Sequence, residues 1–64
     1  MNLLKKYRED ILVSKSELAK RAEVSFLTID RIEKGKSCRL DTKRKIIQAL
    51  GLNLSEKNKI FPDQ

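Results

Sequence analysis

The chain has no histidine, no tryptophan and a single cysteine, Cys38. Without histidine or a second thiol it can assemble neither the usual Cys/His zinc site nor an internal disulfide. A lone thiol fits the cytoplasm, and Cys38 reads as a plain loop residue unless neighbouring cations make it reactive. No cluster of carboxylates takes the place of the missing histidines, so there is no nucleophile–base pair to assign. An enzyme is not expected, and no cofactor is implied. Strand-like Val/Ile/Thr alternation is absent. So is any apolar run near the ~20 residues needed to span a bilayer. The opening MNLLKKYRED lacks the apolar stretch of a secretory leader. Proline and glycine are scarce, at one and two residues.

Charge is what the chain does have. Fifteen Lys and Arg stand against nine Asp and Glu, giving a net charge of +6 and a pI near 9.8. That balance falls in the range of nucleic-acid-binding domains. It would also suit a ribosome-associated protein, a membrane-surface protein or a merely basic soluble one. Sixty-four residues make a single domain, 1–64. A chain this short buries only about 60% of its unfolded surface, so its packing must be efficient.

The stretch Ser14–Gly35, SKSELAKRAEVSFLTIDRIEKG, organises the rest. It reads as two short helices joined by a tight turn. Ser14 can cap the first, with Glu17 three residues on to return a bond. Leu18, Ala19 and Ala22 form a narrow apolar stripe. Ser25 can cap the second helix, whose Ile29 and Ile32 share a side. Gly35 follows where a left-handed residue ends a helix. A small Ala19 permits close crossing, and two short helices at a steep angle make a helix-turn-helix, here spanning about 15–34.

Around this pair the spacing predicts a first helix over 2–12, with Asn2 as a cap and Leu3, Leu4, Tyr7 and Ile11 inward. A fourth helix is predicted near 40–50, with Leu40, Ile46, Ile47 and Leu50 buried and Gly51 as its stop. Its first half is basic, Lys43, Arg44 and Lys45, which opposes the helix dipole unless an anion sits there. Asn53 and Glu56 form a capping box for a short fifth helix to about Ile60. Pro62 closes it.

Taken in order, SKSELAKRAEVS, TIDRIEKGK and IIQALGLNLSE resemble a lambda-repressor/Cro-type helix-turn-helix domain over nearly the whole chain. The resemblance implies an all-α fold, a compact lambda-repressor-like bundle of about five short helices. It also implies a bacterial or phage transcription regulator that binds double-stranded DNA, a palindromic operator and a homodimer. There are three departures. Glu23 stands where the family commonly has Gly, which costs about 1 kcal/mol if that residue is left-handed. Phe26 and Leu27 stand where polar base-reading side chains are usual. The fourth helix begins basic rather than apolar. The resemblance further implies an ion pair between Arg8 and Glu33 that fixes the tilt of the third helix. If solvated, the same pair is worth only about 0–1 kcal/mol.

On this reading the third helix enters the major groove with Phe26, Leu27, Thr28 and Arg31 as base readers. Arg31 suits guanine O6 and N7, and Thr28 a base edge, a phosphate or a thymine methyl. Each has a plainer role: Arg31 as a solvated or acid-paired cation, Thr28 in a local backbone bond. Phe26 and Leu27 could meet thymine methyl groups, hold a protein, or fold back on the core. The second of these would make the chain an adaptor or antitoxin-like module. Asp30 is expected to pair with Lys34. Phosphate contacts are assigned to Ser14, Lys15, Ser25, Lys34, Lys36, Ser37, Arg39 and Lys43, with Arg44 extending the strip. Ile60 and Phe61 either close the open end of the core or supply a two-fold contact between subunits.

Overall fold

The computed structural model describes residues 2–62. Four α-helices follow in order: α1 (Leu4–Asp10), α2 (Lys15–Ala22), α3 (Phe26–Glu33) and α4 (Leu40–Ala49). A 3-10 helix, Leu54–Lys59, closes the chain. No strand occurs among the described residues. The fold is all-α, and α2 with α3 forms the helix-turn-helix.

Each α-helix contributes one or two large apolar side chains to one core. Leu4, Leu18, Ile29, Ile32, Ile46 and Ile60 are fully buried, with Val13, Ala19, Ala22, Ile47, Leu50 and Phe61 around them. Burial of each such aliphatic side chain is worth about 1.5–3 kcal/mol. Ala19 and Ala22 lie in the α2 stripe, where small side chains let the neighbouring helices come close. Ile60 and Phe61 seal the end of the core. They are consumed inside this chain, so the two-fold contact considered for them is not available. A domain of this size has few other side chains with which to close that end.

The four α-helices stop in the same way. In each, a residue two or three beyond the helical run donates its amide to the carbonyl five residues back: Val13 to Arg8, Val24 to Ala19, Lys36 to Arg31 and Leu52 to Ile47, at 3.0–3.2 Å. The residue before each donor is left-handed: Leu12 (φ 59°), Glu23 (57°), Gly35 (93°) and Gly51 (79°). This is the Schellman ending, and it satisfies carbonyls the helix leaves open. Gly35 and Gly51 suit it without strain. Leu12 and Glu23 adopt it at about 1–2 kcal/mol each. The return is that Val13 and Val24, next in line, pack on or against the core.

The predicted first helix therefore ends early. Ile11 and Leu12 lie beyond it, and Leu12 is 92% exposed. Leu3 is also exposed, although its amide joins the chain ends by donating to Ile60 O at 2.8 Å. Asn2 Oδ1 accepts from Leu4 N at 3.1 Å. Leu40 is 72% exposed rather than buried. It stands at the first position of α4, in line with Ile47 two turns on but beyond the end of the core. There it lines a cleft with Ile47, Leu54 and Phe61, beside Lys43, Arg44 and Lys57. The basic start of α4 carries its own acid, since Asp41 lies 3.8 Å from Arg44 and 3.7 Å from Lys45.

Candidate nucleic-acid interface

Two serines begin the helix pair. Ser14 Oγ accepts from Glu17 N at 3.1 Å and caps α2. The return bond from Glu17 is not made, because its carboxylate pairs with Arg21 one turn on. Ser25 Oγ accepts from Thr28 N at 3.1 Å and caps α3. Thr28 Oγ1 also meets Ser25 Oγ at 2.9 Å. The Thr28 hydroxyl is therefore engaged at the start of its own helix.

Ile29 and Ile32 turn α3 inward, and Glu33 stands beside them over buried Arg8. Arg8 Nε donates to Glu33 Oε2 at 2.7 Å and its Nη2 to Oε1 at 3.3 Å. The remaining nitrogen, Nη1, donates to Val13 O at 2.8 Å. The two side chains are 9% and 4% exposed. Arg8 thus ties α3 both to α1 and to the turn after it, in the planar two-bond geometry only guanidinium offers. The Glu33 hydrogen bond raises the Arg8 pKa further, against the opposing effect of burial.

A second tie runs along the flank of α3. Lys15 Nζ donates to Asp30 Oδ1 at 2.8 Å and lies 4.0 Å from Glu33. Lys34 Nζ reaches Asp30 Oδ2 at 2.9 Å. The Lys15 hydrogen bond, with that of Lys34, holds the Asp30 carboxyl at about 2, below its ordinary value. The Lys15 ammonium is raised in turn, by the same bond. It also sits 5.9 Å from the centre of the Phe26 ring, within reach of the ring's attraction for a cation. Lys15 is therefore committed to Asp30 and Phe26 and is poorly placed as a free phosphate contact. Asn2 supplies a third tie: its Nδ2 donates to Ile32 O at 2.7 Å, near the end of α3. Neither the Lys15–Asp30 bond nor the Asn2–Ile32 bond has a helical spacing that could reveal it in the sequence.

The opposite side of α3 is open. Phe26 is 48% and Leu27 59% exposed, so neither folds back onto the core. Arg31 is exposed, with no carboxylate within 4 Å among the described residues. Lys34 is exposed despite its bond to Asp30. Lys36, Ser37 and Arg39 follow in an exposed loop. Lys43 is half-buried, its ammonium 5.6 Å from the centre of the Phe61 ring, so it belongs partly to the closed end of the core. Cys38 is half-buried against the same core, and burial pushes its thiol up despite nearby Lys43. That is the opposite of what a reactive cysteine needs. No group of acidic or thiol side chains that could hold a metal occurs among the described residues.

Among the described residues no helix is long and apolar enough to cross a membrane. Comparison with curated proteins and with solved structures gave no match. A family model for the helix-turn-helix matches residues 4–57, from the start of α1 into the closing 3-10 helix. With two capped helices held at a tight turn and a cationic margin beside them, the chain belongs to the Cro/CI-type helix-turn-helix family of DNA-binding transcription regulators.

Proposed function

We propose that this single domain is a sequence-specific regulator, acting in the cytoplasm, that lays α3 in the major groove of double-stranded DNA. The outward side of α3 carries the reading. Among the described residues Leu27 and Arg31 have no partners there, while the other polar groups of α3 are engaged. Phe26 flanks them, and Thr28 offers its methyl group rather than its hydroxyl. Phosphates are met by Lys34, Lys36, Ser37 and Arg39. The start of α2 at Ser14 and that of α3 at Ser25 add amide donors, which suit an anion. Such contacts fix position without reading sequence.

Enrichment of bound duplexes from a random pool tests this directly. One site should emerge, and Arg31→Ala should weaken it by about 5- to 150-fold, the value of a bidentate arginine–guanine pair. Affinity should fall with salt at a log–log slope of about −3, as Lys34, Lys36 and Arg39 displace counterions. A pool without enrichment, or binding indifferent to salt, would refute the proposal. Inverted symmetry in the enriched site would support the dimer that the family resemblance implies, through a surface other than Ile60 and Phe61.

A second reading draws on the exposed Phe26 and Leu27, which could hold a protein instead. Arg31→Ala combined with Phe26→Ala separates the two. Loss of a bound protein with DNA binding intact would favour the adaptor.

A further inference from the structure

We infer that the site read by α3 contains a 5-methylpyrimidine, thymine or 5-methylcytosine, beside a guanine, with Leu27 on the methyl group and Arg31 on the guanine. This rests on the groove reading above and names the step it recognises.

The argument runs through the chemistry α3 still has to offer. Adenine is read in the major groove by the paired donor and acceptor of Asn or Gln. The helix FLTIDRIE contains neither. Cytosine is read through its N4 donor by a carboxylate. Both carboxylates of α3 are taken: Asp30 by Lys15 and Lys34, Glu33 by Arg8. Thr28 Oγ1 is closed on Ser25 Oγ at 2.9 Å. The free chemistry is therefore one guanidinium and one isobutyl group, with the small Thr28 methyl and the Phe26 ring beside Lys15 as further apolar surface.

Those two groups select different edges. A guanidinium matches the acceptors O6 and N7 of guanine, and the pyrimidine 5-methyl is the apolar feature of the groove. Leu27 and Arg31 are four residues apart, one above the other on the helix, with Cβ atoms about 5–6 Å apart. Successive bases of one strand rise by about 3.4 Å. Long side chains four apart on one helix can thus serve neighbouring base pairs. The Arg31 stem adds apolar surface beside the same methyl group.

The test uses the site enriched from a random pool and the full chain. Deoxyuridine in place of the thymine removes only the methyl group. Affinity should fall about fourfold for each methyl group lost, the value of one buried CH₂-sized group. Exchanging that T·A pair for C·G should weaken binding, and 5-methylcytosine in the same place should restore it relative to cytosine. Leu27→Ala should still bind the site but no longer distinguish thymine from deoxyuridine. A loss of overall folding would weaken both duplexes equally and leave that ratio unchanged. An enriched site whose deoxyuridine exchange is silent, or one without a pyrimidine–guanine step, overturns this inference while leaving DNA binding intact. A pool that enriches nothing fails the groove reading itself.

Discussion

On the side of α3 that faces the bundle, charges stand in pairs. Glu33 holds both Arg8 and the edge of Lys15, and Asp30 holds Lys15 and Lys34. On the side that faces away, Leu27 and Arg31 have no such partners among the described residues. The two differ in what a substitution should do. The inner side holds the helix in place, and breaking it should be felt in the fold. The outer side contributes little to the fold and is free to be complementary to something else. Lys34 belongs to both, since its bond to Asp30 leaves the ammonium mostly in solvent.

The largest break in this contrast is Glu33→Ala. Removing one partner of a buried pair leaves Arg8 uncompensated and should cost about 3–5 kcal/mol in urea unfolding. A domain of this length has a total of only about 3–10 kcal/mol, so the variant should be largely unfolded when warm. Replacing both partners together, Arg8→Met with Glu33→Leu, should recover most of the loss. A Glu33→Ala penalty below about 1 kcal/mol would move this pair into the class of solvated ones.

Ser25→Ala comes next. It removes the cap on which α3 begins and should cost about 1 kcal/mol in the same measurement.

The acid response is smaller. Asp30 is held at about 2, beneath its ordinary 3.8. The unfolded chain binds that proton first as pH falls. The stability Asp30 contributes is therefore present above about pH 4 and is lost on the way down through pH 2. The urea midpoints of the native chain and of Asp30→Asn should converge over that window. A difference that persisted at pH 2 would mean that the Asp30 charge is not what fastens the flank.

Smallest of all, for stability, are Leu27→Ala and Arg31→Ala. Each should shift unfolding by no more than about 0.5 kcal/mol, as exposed substitutions do. Their DNA binding should nonetheless fall. A large stability loss at either position would erase the distinction between the two sides.

Much of this architecture can be read from residue order. The serine caps at 14 and 25, the inward Ile29 and Ile32, and the stops at Gly35 and Gly51 all depend on neighbours within a turn. So does the Asn53–Glu56 start of the closing helix, where Glu56 accepts the Asn53 amide at 3.0 Å. Glu23 is left-handed where the family resemblance suggests a glycine-like position. Leu12 is not legible in this way. A leucine after an apolar stripe reads as more helix, and only the pull of Val13 into the core turns it outward. Leu40 misleads for the same reason: its hydrophobicity is evident, but the end of the core is not. Lys15 reads as a phosphate contact until α2 and α3 cross and bring Asp30 to 2.8 Å.

Order along the chain was enough to determine an all-helical domain, the position of its helix pair and its cationic character. These follow from spacing within one or two turns and from composition, which need no knowledge of what lies across the molecule. Tertiary structure alone decided which charges are spent and which are free. An ion pair depends on distance in space, and Lys15 with Asp30, or Asn2 with Ile32, meet only once the helices have packed.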